Sequence, residues 1–221
     1  MFSLDDIKSF ISIAKTHGAC NSALSIIKSI NNIEDVLNHP NAPYWACWYA
    51  EYVNKGRWPR AEAVISTSAE YACYYATNVI KGHWAEAEAT IITSAEYASL
   101  YAKDVIKARW TRAEPVIRTS PEYAYRYSMH VINGRWVEAE PVIMTSTEWA
   151  CLYAKDVIKA RWYEAEPVIM TRPEWVCLYA MHVVKGRWAE AEALISTNPK
   201  WAYLYATDVV NGRWAEAEAT I

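Results

Sequence analysis

Tryptophan recurs at positions 58, 84, 110, 136, 162, 188 and 214, every 26 residues without a gap. A fixed period of this length marks an array of stacked units, each too small to bury its own apolar faces. Seven repeats follow: 42–67, 68–93, 94–119, 120–145, 146–171, 172–197 and 198–221, the last two residues short. Residues 94–145 and 146–197 also match as doubles. Each double carries Tyr-Ala-Lys-Asp-Val-Ile-Lys-Ala-Arg-Trp and then a repeat with Met-His before its valine, so duplication of a pair is the simplest history.

The repeat at 146–171 shows what each one folds into. Ser146 is placed to cap a helix, and Glu148 lies in the first turn, where the dipole favours an acid. In other repeats Pro121, Pro173 and Pro199 take the first helical position. Trp149, Tyr153 and Val157 recur at i, i+4 and i+8 beside a row of Ala150, Ala154 and Ile158. That apolar arc is wider than an amphipathic stripe and needs cover on two sides. Gly56, Gly82, Gly134, Gly186 and Gly212 follow a Lys or Asn and read as helix C-terminal glycines. Ala108 and Ala160 stand there in two repeats and are expected to be strained. A shorter second helix runs roughly from Trp162 to Met170, and Pro115, Pro141 and Pro167 predict that it kinks or begins as a 3₁₀ turn.

The fold class expected is therefore all-α: an α-solenoid of seven stacked helix–turn–helix repeats over 42–221, with a helical cap over 1–41. Within the cap, helices are expected from Ser3 to about His17, from Asn21 to about Ile30, and as a turn from Ile33 to Leu37. Seven layers at roughly 10 Å each predict an elongated molecule. Ile221 closes a core position with nothing after it, which leaves room for a two-fold dimer through the uncapped last repeat.

Composition narrows the function classes. A net charge of −3, from 22 basic and 25 acidic residues, is too balanced for a general nucleic-acid or membrane-surface binder. No apolar run reaches the roughly 18 residues a membrane span needs. The acids near Met1 are unlike a secretory leader, and five cysteines without a Cys-x-x-Cys pair favour a reducing cytoplasm. The chain is rich in aromatics, with 12 Trp and 16 Tyr against 2 Phe, which supply the buried area short helices need.

The string Tyr-Ala-Lys-Asp-Val-Ile-Lys-(Gly/Ala)-Arg-Trp-x-x-Ala-Glu-(Pro/Ala)-x-Ile resembles a tandem repeat of uncharacterised bacteriophage and mobile-element proteins, over 42–221. The resemblance implies an α-solenoid and a phage or host source, hence the host cytoplasm. It transfers no activity and names no site. Departures are Ala108, Ala160, His83 for Arg, and Asn54 for Ile or Val.

Comparing repeats separates constant from variable positions. The Trp and the Tyr at 49, 75, 101, 127, 153, 179 and 205 read as core. Glu62, Glu88, Glu114, Glu140, Glu166, Glu192 and Glu218 are invariant, and an acid at the edge of a buried face needs a partner. Arg57, His83, Arg109, Arg135, Arg161, Arg187 and Arg213 precede each Trp and predict a ladder of pairs between repeats. Seven equivalent carboxylates define no catalytic centre. Cys47, Cys73, Cys151 and Cys177 read as small core residues. His130 and His182 lie two repeats apart, too far to share an ion. His-Glu-x-x-His, phosphate-loop and Gly-x-Ser-x-Gly motifs are absent. No enzyme, cofactor or metal is expected.

A variable strip crosses the first helices: Trp48, Tyr74, Leu100, Arg126, Leu152, Leu178 and Leu204, edged one turn on by Tyr52, His130 and His182 among asparagine and aspartates. It is either a partner surface or a strip that superhelix packing buries. The leading expectation is a protein-interaction scaffold that binds another protein, as a phage product that inhibits a host factor would. The alternative is a single-strand nucleic-acid binder stacking one base per repeat.

Overall fold

The computed structural model describes residues 12, 15, 16 and 33–220. The regular structure among those residues is all helical, with no strand, and successive helices joined by short turns stack as an α-solenoid. Apart from residues 12, 15 and 16, which are helical, the helix expected at Ser3–His17 falls outside the described residues, as do the one at Asn21–Ile30 and Ile221. The chain divides into two compact bodies, residues 1–113 and 114–221.

In the first body, a short helix Ile33–Leu37 precedes the first repeat, as the sequence predicts. Val36 packs with Trp45, Leu37 and Trp58, so this turn covers the open side of that repeat. Then come Ala42–Tyr52 and Pro59–Ile65, Ala69–Tyr75 and Ala85–Ile91, and Ala95–Tyr101. First helices of neighbouring repeats pack on one another, 42–52 on 69–75 and 69–75 on 95–101. Ala46, Ala72 and Ala98 are fully buried. A side chain this small lets adjacent backbones approach closely, because interaxial distance follows the side chains at the contact.

The second body repeats the plan with first helices Pro121–Tyr127, Thr147–Tyr153, Pro173–Tyr179 and Pro199–Tyr205. Proline shortens some of its second helices, while the last, Ala215–Ala217, is a short 3₁₀ turn without one. Ala189–Ile195 is a seven-residue α-helix, whereas Pro141 and Pro167 shorten theirs to Glu140–Ile143 and Glu166–Ile169. Val137–Ala139 before the first of these is 3₁₀. Proline has no N–H to donate into the preceding turn, so regular α-helix starts only at the residue before it.

Every first helix from Ala69 onward ends in a turn of π-helix, which the sequence did not announce. It covers Ala76–Ile80 and Ala102–Ile106 in the first body. In the second it covers Ser128–Ile132, Ala154–Ile158, Ala180–Val184 and Ala206–Val210. Its last N–H, that of Lys81 for instance, reaches back five residues to Ala76 O. The residue that then turns left-handed is the Lys or Asn: Lys55, Lys81, Lys107, Asn133, Lys159, Lys185 and Asn211 have φ of 53–59°. This corrects the expectation for the glycines. None of the five described lies in the left-handed region, and a Cβ added to any of them meets nothing within 4 Å. Ala108 and Ala160 are therefore unstrained.

Candidate functional site

The invariant residues form one module per repeat, and its wiring differs from the ladder expected. Five of the arginines pair within their own repeat, five residues ahead, and Arg187 also comes within 3.9 Å of Glu216 in the next repeat. Arg135 Nε and Nη2 donate to the two oxygens of Glu140 at 2.8 and 2.9 Å, and Arg161 does the same to Glu166 at 2.8 and 2.9 Å. Arg57–Glu62, Arg187–Glu192 and Arg213–Glu218 repeat this two-pronged geometry, and His83 lies against Glu88. A planar guanidinium matches a carboxylate in this way over a short loop, so no neighbouring repeat is needed.

The link between repeats is instead the tyrosine hydroxyl. Tyr153 Oη accepts from the backbone N–H of Trp136 at 2.6 Å and donates to Glu140 at 3.3 Å, both in the repeat before. Tyr75, Tyr179 and Tyr205 are wired identically to Trp58 and Glu62, Trp162 and Glu166, and Trp188 and Glu192. One hydroxyl thereby satisfies a buried donor and a buried acceptor. The same tyrosine ring tilts against its own tryptophan, with centroids 5.2 Å apart for Tyr75 and Trp84. Arg57 and Arg187, by hydrogen bonding, hold the Glu62 and Glu192 carboxyls below the usual range. Burial pushes the Tyr75, Tyr153 and Tyr205 hydroxyls up to about 12. These arginines and glutamates are thus paired within their repeats, and the tyrosines join one repeat to the next.

The four described cysteines are buried and free, as small core residues should be. Burial raises the Cys73 and Cys151 thiols to about 12. Among the described residues no three of His, Cys, Asp and Glu come together as a metal site, and no helix is long and apolar enough to cross a membrane.

Packing covers the variable strip only in part. In the first body Trp48, Tyr52 and Leu100 are half-buried and Tyr74 is exposed; in the second, Leu152, Leu178 and Leu204 are half-buried and Arg126, His130 and His182 are exposed. Arg126 is tied down its own helix to Glu122 at 2.9 Å. A second-body cleft of about 400 Å³, between Met129, Asn133 and Asp156, takes in none of these.

Three of the strip residues meet in a first-body cleft of about 420 Å³. Tyr44, Trp48 and Tyr52 come to it from helix Ala42–Tyr52, at i, i+4 and i+8 on one face. Glu70, Tyr71 and Tyr74 face them from Ala69–Tyr75. The Trp48 and Tyr52 rings lie 5.5 Å apart and those of Tyr44 and Tyr71 5.7 Å apart. Tyr74 Oη donates to Glu51, and burial first, then that bond, pushes the Tyr74 hydroxyl well above the usual phenol range. Cys47, at the cleft's base, donates to Tyr71 O at 3.3 Å. Tyr44, Glu70 and Tyr71 were missed by sequence reasoning, although a signal existed. Position 44 holds tyrosine where five repeats have glutamate (Glu70, Glu96, Glu122, Glu148, Glu174) and one has Lys200.

Fold and surface define a class, an α-helical repeat protein with a partly exposed variable face. No protein-family model matches the chain, and no curated protein or solved structure matches it either. The likeness to phage and mobile-element repeats rests on the motif string alone.

Proposed function

We propose that this protein binds another protein through the variable face of its first helices. One observation carries the reading: the Tyr, Trp and Ala columns that pack repeat on repeat are nearly constant and mostly buried, and one buried column changes among Cys, Ser and Tyr, while the partly open strip varies most widely, among Trp, Tyr, Leu and Arg. Size changes inside a packed core leave voids or clashes costing about 1–3 kcal/mol, so free variation belongs to a surface. Trp, Tyr and Arg are also the residue types that dominate binding hot spots. The arginines that would hold a nucleic-acid backbone are instead held in pairs by glutamates, which favours a protein partner.

The test has two stages. A protein captured from cell lysate is purified, and its affinity is measured for wild type, Trp48→Ala, Tyr74→Ala and Leu178→Ala. At least one of these is expected to weaken binding about tenfold or more, with helicity retained. Retention of an oligonucleotide at low salt, with no protein affinity sensitive to the three substitutions, overturns the reading.

A further inference from the structure

Helix Ala42–Tyr52 differs from its six counterparts along one row. Where the others run mostly Glu, Leu and Asp at i, i+4 and i+8, as in Glu148, Leu152 and Asp156, it has Tyr44, Trp48 and Tyr52. The exchange replaces two acids with aromatic rings at an open surface, where Tyr44 is 49% and Tyr74 39% exposed. Packing gives no reason for it, because the six other repeats stack without it. The result is a cleft walled by five aromatic rings, with Glu70 on its wall, Glu51 hydrogen-bonded to Tyr74 behind it, and no basic residue among the described ones that line it.

Aromatic faces carry negative charge at their centres, and a carboxylate adds a full one. The complement is a cation with flat faces that also donates hydrogen bonds. Guanidinium meets both conditions, since it stacks on rings and forks onto a carboxylate, whereas an ammonium is a compact, strongly hydrated point charge. We infer that the Tyr44–Trp48–Tyr52 cleft is a pocket for an arginine side chain of the partner, stacked on the rings and paired with Glu70. This rests on the protein-binding reading and names the chemistry of one of its anchors. Arg126 of this chain already has its carboxylate in Glu122, so the guanidinium comes from outside the strip.

The probe is a fluorescein-labelled heptapeptide of glycine and alanine with a single central arginine, titrated with the full chain by fluorescence anisotropy at low salt. A citrulline peptide, which keeps the shape and loses the charge, is expected to bind at least about tenfold more weakly. Glu70→Gln, an isosteric change on an exposed residue, is expected to weaken the arginine peptide about fivefold or more without moving the melting temperature. Lysine in place of arginine is expected to bind more weakly as well. Equal binding of arginine and citrulline peptides, no binding of either, or indifference to Glu70→Gln overturns the inference. The broader reading fails separately: a captured partner that is weakened by Leu178→Ala but not by Glu70→Gln leaves protein binding standing and removes only the arginine pocket.

Discussion

Lys55, Lys81, Lys107, Lys159 and Lys185 sit with φ near +55° at the ends of their first helices, a conformation that costs an L-residue roughly 1–2 kcal/mol relative to glycine. The neighbouring glycines occupy ordinary backbone with open space around them. Two opposite substitutions follow. Lys159→Gly should raise stability by up to about 1 kcal/mol, whereas Ala160→Gly should lower it by about 0.4–1 kcal/mol by loosening the unfolded chain. Chemical denaturation of both variants decides this, and a gain from Ala160→Gly would place the left-handed turn one residue later. The thiols supply another residue-scale expectation. Cys47, Cys73, Cys151 and Cys177 are buried with their thiols pushed up, so in native protein at neutral pH a disulfide reagent should titrate them only as the chain unfolds.

At the scale of the element, the tyrosine hydroxyl joins one hairpin to the next. Tyr153→Phe keeps the ring against Trp162 but strands the Trp136 N–H in a buried place and takes from Glu140 Oε1 one of its two donors, leaving it Arg135. The expected loss is about 1–3 kcal/mol, measured by denaturation, and a neutral result would show that water replaces the hydroxyl. The repeat length, the two helices, the proline effect and the turn Ile33–Leu37 were all legible from spacing and local propensity. The π-turns and the cross-repeat tyrosine bond were not, because both depend on where the next backbone lies and no residue type announces that. The arginine–glutamate pairing was foreseen in its members but not in its reach. A five-residue separation across the turn puts Arg161 and Glu166 in register only once the chain has bent at Trp162. For the site, Trp48, Tyr52 and Tyr74 were visible as variable aromatics, while Tyr71 sits in a column that is aromatic in every repeat and so looked like core.

Across the whole molecule, repetition multiplies whatever each module contributes. The Glu62 and Glu192 carboxyls titrate lower in the folded chain than in the unfolded one, so their contribution is present above the unfolded value of about 4.3 and is lost as pH falls below it. The Tyr75, Tyr153 and Tyr205 hydroxyls titrate higher when folded, so theirs is present below about pH 10 and is lost as pH rises through about 12. Melting temperature against pH should therefore show a broad plateau with falls below about pH 4.5 and above about pH 10. A steep change near neutrality would point to groups outside these modules. The same division of labour, constant residues holding repeats together and variable ones facing outward, is most sharply exposed by two adjacent tyrosines. Tyr74 is open to solvent in the aromatic cleft and Tyr75 is completely buried. The most direct measurement is thermal melting together with affinity for the arginine peptide, for Tyr74→Ala and Tyr75→Ala in parallel. Tyr74→Ala should melt close to wild type and bind weakly, while Tyr75→Ala should lose about 3–5 kcal/mol of stability. Similar stability losses from both substitutions, or full peptide affinity in Tyr74→Ala, would contradict the account.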